Sequence, residues 1–90
     1  MVFLGGETLT PNGSSTACTL PAGTNLVYLA ANGGNVNYAI NPGAGAADAN
    51  SAGFVPSGTH WLIGETGNLS GLKVFCAAGT TKVHLEYYAA

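Results

Sequence analysis

Charge is what this chain has least of. Of its 90 residues 7% are charged: two lysines, the four carboxylates Glu7, Asp48, Glu65 and Glu86, and no arginine. A soluble domain carries about 25%. With no two cationic residues adjacent anywhere, the chain has no electrostatic footprint for phosphates, and no nucleic-acid partner is expected. Long apolar runs are missing too. None approaches the ~20 residues that span a bilayer, and residues 1–7 lack the basic start and apolar stretch of a secretory signal. No membrane partner is expected, and the chain is expected to be made and kept without processing. Cysteine is scarce: Cys18 and Cys76 have no partner at zinc-ligand spacing. In a cytosolically made protein they read as two buried small hydrophobes with free thiols.

Catalytic constellations are equally thin. A nucleophile needs a base within reach and a group that orients the base. His84 falls on the polar face of an alternating strand between Lys82 and Glu86, as an ordinary solvent-facing or interface histidine does. His60 follows a turn and suits a rim or contact role. The carboxylates are scattered, with no local pair for acid/base chemistry. No cofactor, no metal and no enzymatic activity are expected.

Hydrophobic residues make up 47% of the chain, and Gly, Pro and Asn cut them into short stretches with strand patterning. Residues 25–31 are too apolar for one wet face and read as a central strand covered on both sides. Asn32-Gly33-Gly34-Asn35 suits a tight hairpin turn. Val36, Tyr38 and Ile40 then alternate with Asn35, Asn37 and Asn41. Residues 81–88 alternate again, with Val83, Leu85 and Tyr87 on one face, and a hairpin with residues 72–78 is expected. Residues 41–53 read as a long loop without an apolar anchor. Helix signals are absent. Short strands with frequent turns predict an all-β fold, a small antiparallel β-sandwich or barrel, jelly-roll-like. Residues 16–90 form its single domain, and residues 1–15 an extended N-terminal arm or edge strand. Leu20-Pro21-Ala22-Gly23-Thr24 and Val55-Pro56-Ser57-Gly58-Thr59 echo each other and predict similar turns at corresponding corners.

Asn, Thr, Ser and Gly occupy the outward positions, and these lose less side-chain entropy when pinned than Lys or Glu. Such a surface suits a subunit of a packed assembly. Tyr28, Tyr38, Phe54, Phe75 and Tyr87 are expected in the core, leaving Trp61 and Tyr88 at an edge or contact. Met1, Val2, Phe3, Leu4, Glu7, Thr8, Leu9 and Thr10 are candidates for strand addition to a partner, with Asp48 in the reaching loop and His60, Trp61 and Tyr88 as further contacts.

The run Leu-Pro-Ala-Gly-Thr, Val-Tyr-Leu-Ala-Ala, Val-Asn-Tyr-Ala-Ile-Asn, Val-Pro-Ser-Gly-Thr-His-Trp-Leu-Ile-Gly and Gly-Leu-Lys-Val-Phe-Cys-Ala-Ala-Gly-Thr-Thr-Lys-Val-His-Leu-Glu-Tyr-Tyr resembles the small β-sandwich virion proteins of tailed bacteriophages, and most of all capsid decoration (cement) proteins. The resemblance covers about residues 16–88 and lies in turns and patterning. It implies a chain made in the bacterial host cytoplasm that binds the outer capsid surface, often as a homotrimer. There it would clamp adjacent subunits of the major capsid protein and stabilise the shell. The alternatives are a phage tail, head-fibre or tail-fibre component and a small carbohydrate-binding module.

Overall fold

Glycine, proline and asparagine interrupt the chain every few residues, and the β-branched and aromatic stretches between them become strands. The computed structural model describes residues 1–40, 46–64, 69–77 and 79–90. Among these residues lie eight strands: β1 Val2–Leu9, β2 Thr16–Ala17, β3 Leu26–Asn32, β4 Val36–Ala39, β5 Gly53–Val55, β6 His60–Ile63, β7 Lys73–Phe75 and β8 Lys82–Ala89. A 3-10 turn, Leu69–Gly71, precedes β7.

The strands form two four-stranded sheets, β1-β8-β3-β6 and β2-β7-β4-β5, and every pairing is antiparallel. β1 pairs with β8, β2 with β7, β3 with β6 and β4 with β5. The chain is thus one long hairpin whose tip is the β4–β5 connection. Rolled up, it also brings β3 against β8 and β4 against β7. This is the eight-stranded jelly roll, and the all-β sandwich expected from the sequence is what the chain forms.

The core lies between the sheets. Val27, Leu29 and Ala31 of β3 and Val83, Leu85 and Tyr87 of β8 meet Val36, Val55 and Val74 from the other sheet, with Ile63, Leu69 and Leu72 closing the ends. Each such side chain contributes about 1.5–3 kcal/mol by leaving water. The period-2 patterns of β4 and β8 place their apolar sides inward as expected, since Tyr38 and Ile40 pack on the core and Tyr87 is buried.

Several expectations change. β7 and β8 lie in opposite sheets, so they form no hairpin; β8 is needed between β1 and β3, where its alternation buries Val83, Leu85 and Tyr87. The Gly33-Gly34 turn likewise carries the chain across the sandwich from β3 to β4 instead of closing a hairpin. β3 is central in its sheet, yet Leu26, Tyr28 and Ala30 are half-buried while Val27, Leu29 and Ala31 are buried, so only one face is covered by the second sheet. Tyr28 therefore leaves the core list, and so do Phe75, half-buried on β7 beside the inward Val74, and Phe54, which is 51% exposed on the edge strand β5. The early part of the 41–53 loop lies outside the described residues. Its later part is tied back to the fold: the buried Ala47 donates its N–H to Ser15 Oγ at 2.9 Å.

The two echoing turns are alike in structure. Thr24 and Thr59 each send both N–H and Oγ1 to the carbonyl of a proline, Pro21 or Pro56, at 3.2 and 2.7 Å and at 3.1 and 2.7 Å. Gly23 and Gly58 sit at φ +91° and +81°, the position that a type II turn reserves for glycine. Each turn leads into a strand, β3 or β6, and these two strands are antiparallel neighbours. Gly58 also forms a bulge, donating to Ala31 O at 2.9 Å while Ala31 donates to Thr59 O at 3.0 Å.

Cys18 and Cys76 are buried and free. The β2–β7 register sets Thr16 opposite Val74, so Cys18 lies opposite Leu72 and four residues along from Cys76, about 13 Å at strand spacing. A disulfide between them is out of reach.

Candidate functional site

The outer face of the β1-β8-β3-β6 sheet gathers side chains that the sequence does not obviously bring together. The register aligns Phe3, Tyr88 and Leu26 in one row across the strands, then Gly6, Glu86, Tyr28 and Leu62, then Thr8, His84, Ala30 and His60. Phe3 meets Tyr88 edge-on, with ring centroids 5.6 Å apart and planes at 67°. Tyr28 stacks on His60 at 5.0 Å and 26°. Tyr88 donates its hydroxyl to Glu86 Oε1 at 2.7 Å, and Thr8 Oγ1 lies 3.1 Å from His84 Nδ1. The bond to Glu86, with some burial and the Glu86 charge, holds the Tyr88 phenol above its ordinary pKa. Histidines aside, only Glu86 and Lys82 bring charge to this face among the described residues. Phe3 and Leu62 are 59% and 55% exposed. At strand spacings of about 4.8 Å the three rows cover roughly 300 Å², the size at which an apolar patch on a monomer is often functional.

A bulge makes this face possible. The register of β1 on β8 shifts between Phe3 and Gly5, so Phe3 points outward although it is an even step from the inward Glu7 and Leu9. Leu4, the extra residue, packs with Leu9 against the core. Glu7 turns under the sheet, where it accepts the Tyr87 hydroxyl proton and the Thr19 N–H at 2.7 Å. It thereby ties the edge strand to the connection between β2 and β3. Burial, and then the bond to Glu7, push the Tyr87 phenol up. Burial likewise pushes the neighbouring Cys18 thiol up to about 12, with its bond to Tyr87 acting in the opposite direction. Such a thiol is protonated and unreactive at neutral pH.

The sequence-derived contact residues therefore separate. Phe3, Thr8, His60 and Tyr88 share the outer face. Met1 and Val2, 81% and 60% exposed, lie at the start of β1, where Val2 pairs with Ala89 and so takes the side opposite Phe3, and Thr10 is exposed just past the end of that strand. Leu4, Glu7 and Leu9 face inward and are not on it. Asp48 lies off this face in the β4–β5 connection, where it holds a turn by accepting from Asn50 N–H at 2.8 Å and donating its own N–H to Ser51 Oγ at 2.9 Å. Trp61 is on β6 but projects from the opposite side to His60 and Leu62. There its indole N–H donates to Tyr38, whose phenol burial pushes up. Sequence reasoning missed Leu26, Tyr28 and Leu62. For Leu62 the signal was present, since alternation through His60 and Leu62 sets them on one face. The unbroken apolar run around Tyr28 carried none.

A cleft of about 570 Å³ opens beside β4, lined by Tyr38, Ala39, Ile40, Ala46, Ser51, Ala52 and Gly53. Among these only Tyr38 and Ser51 bring polar side chains. No group of three or more His, Cys, Asp or Glu capable of holding a metal occurs among the described residues, and no helix there is long and apolar enough to cross a membrane. Comparison with protein-family models, curated proteins and solved structures finds no match.

Proposed function

We propose that this chain is a structural coat subunit, most like a capsid decoration protein of tailed bacteriophages, and that it binds an assembled shell through the outer face of its β1-β8-β3-β6 sheet. The supporting observation is that face: aromatic, nearly uncharged, and built on paired strands that need no ordering on contact. Aromatic side chains are enriched in binding surfaces because they contribute large area at small entropic cost. The polar groups around them are largely paired within the face, as Tyr88 is with Glu86. Mass action supplies the mechanism: copies that bind the closed lattice and not its separated subunits stabilise the lattice. An interface so poor in charge is weakly sensitive to salt. The homotrimer expected from the resemblance belongs to the same proposal.

The test is copy number. Quantitative mass spectrometry of purified particles against the main shell protein is expected to give near-equal copies. A few copies per particle would transfer the assignment to a tail or fibre component, and absence from particles would overturn it. A carbohydrate-binding module is favoured by one observation, the 58% exposure of Trp61, since an exposed aromatic can stack on a pyranose. Sugar titration followed by the fluorescence of this single tryptophan tests it directly.

A further inference from the structure

The sandwich has four edge strands, β1 and β6 in one sheet and β2 and β5 in the other. Natural sheets blunt their edges with bulges, charges, prolines or extreme shortness. β1 is interrupted by its bulge, and β2 and β5 have two and three residues. β6, His60-Trp61-Leu62-Ile63, runs four residues with no formal charge and no proline, whereas the regular part of β1 beyond its bulge, residues 5–9, carries Glu7. Trp61 and Leu62 flank it on the two sides of the sheet, 58% and 55% exposed.

The hydrogen-bond direction along β6 follows from its neighbour. Thr59 O accepts from Ala31 at 3.0 Å, so the groups of Trp61 and Ile63, in step with Thr59, also point toward β3. The N–H and C=O groups of His60 and Leu62 then point away from the sheet. They are symmetric about Trp61.

From this symmetry we propose that β6 pairs antiparallel with β6 of a second copy of this chain, across a two-fold axis at Trp61. In this register His60 faces Leu62 of the second copy, and each such pairing exchanges both backbone hydrogen bonds. Trp61 meets its own counterpart at the non-hydrogen-bonded position, where cross-strand side chains approach most closely and aromatic pairs stabilise. Shifting the axis by one residue, to Leu62, would place the exposed indole opposite the buried Ile63 and lose that contact. The two sheets merge into one continuous sheet, and their outer faces lie on the same side. Four residues per copy bury less than the ~1,000 Å² of a durable complex, so the pairing is weak in free solution and rises with local concentration. The inference does not depend on shell binding.

The register makes the test sharp. Under oxidising conditions Trp61→Cys is expected to form a disulfide-linked dimer, because facing non-hydrogen-bonded residues have Cα atoms about 4.5 Å apart, within disulfide range. His60→Cys and Leu62→Cys, which do not face their own counterparts, are expected to cross-link far less. The buried Cys18 and Cys76 supply the background, read from the unaltered chain. Sedimentation equilibrium of the unaltered chain at rising concentration is expected to show a monomer–dimer equilibrium. Leu62→Lys should abolish it, and Phe54→Lys, at a different edge, should leave it intact. Circular dichroism confirms that each variant folds. A monomer up to millimolar concentration, association unaffected by Leu62→Lys, or equal cross-linking at all three positions would overturn the proposal. Shell binding is assayed separately with Phe3 variants on β1, so failure of either reading leaves the other standing.

Discussion

Gly34 sits where no side chain fits. A Cβ built on it would lie 2.0 Å from Thr81 Oγ1, 3.2 Å from Thr81 Cβ and 3.4 Å from Thr81 Cγ2. Thr81 cannot step aside, because it is fully buried at the head of β8, and its hydroxyl reaches Gly33 O at 3.4 Å. In Gly34→Ala the crossover from β3 to β4 must move outward by more than 1 Å, or Thr81 must leave its rotamer and its hydrogen bond. Overpacking of this kind costs about 1–3 kcal/mol, and the lost hydrogen bond adds about 1 kcal/mol. The lower entropy of the unfolded alanine chain returns about 0.4–1 kcal/mol. The expected net loss is about 2 kcal/mol, a fall in Tm of roughly 8–16 °C for a domain of this size. Thr81→Ala removes the two offending atoms, Oγ1 and Cγ2, and costs about 1–2 kcal/mol alone. In the double variant the 2.0 Å clash is gone and only the tight 3.2 Å approach to Cβ is left, so the two losses should fall short of their sum by about 1 kcal/mol. Urea unfolding followed by far-UV circular dichroism measures all three variants. Additive losses, or a Gly34→Ala protein within 0.5 kcal/mol of the parent, would refute the steric argument.

Other consequences are open to equally direct measurement. Tyr87→Phe leaves the Glu7 carboxylate with the Thr19 N–H but without its phenol donor, and a loss of about 1–3 kcal/mol in urea unfolding is expected; the clasp has no energetic role if the loss is below 0.5 kcal/mol. The Cys18 thiol rises from an ordinary 9.0 to about 12 on folding, so above pH 9 the unfolded chain sheds this proton while the folded one keeps it. Stability is therefore full below pH 9 and falls as pH climbs toward 12. Cys18→Ala should flatten the decline, though part persists through Tyr87, whose phenol is also raised. Phe3→Lys changes an exposed side chain and should alter folding stability by less than about 0.5 kcal/mol, while weakening attachment to particles at least ~10-fold, as for an aromatic anchor. Co-sedimentation with shells stripped of the protein measures that loss, and undiminished attachment would move the interface off this face.

Strands were legible in the residues, and their partners were not. The alternation of β4 and β8 and the paired Pro-x-Gly-Thr turns are written in a few adjacent positions, where period and turn chemistry act locally. Sheet membership is decided over most of the chain length. Gly33-Gly34 is compatible with a hairpin or with a crossing, and only the need to seat Tyr87, Leu85 and Val83 beside Val27, Leu29 and Ala31 selects the crossing. The outer face shows the same divide. Phe3 and Tyr88 stand out as unplaced aromatics, but nothing local says that a bulge after Phe3 turns it outward while Glu7 turns in. Tyr28 lies in an unbroken apolar run, so its side of the sheet has no local mark. Glu7 read as a contact residue because it lies in the segment offered for strand addition; its clasp on Tyr87 arises only once β1 and β8 are neighbours.

That β1 pairs with β8 and with no other described strand also orders events in time. β1 is made before β8, so it has no native partner in the sheet until β8 emerges. The β4–β5 pairing, whose partners are nearest in sequence, has the smallest loop-closure cost. Until β8 emerges, Phe3, Leu4 and Leu9 are exposed on a segment without its native partner, the situation in which nascent chains associate wrongly. Gly5 and Gly6 lie in the middle of that segment and weaken its tendency to form premature sheet. The glycines that permit the bulge in the finished molecule thus also keep the unfinished one from committing too soon.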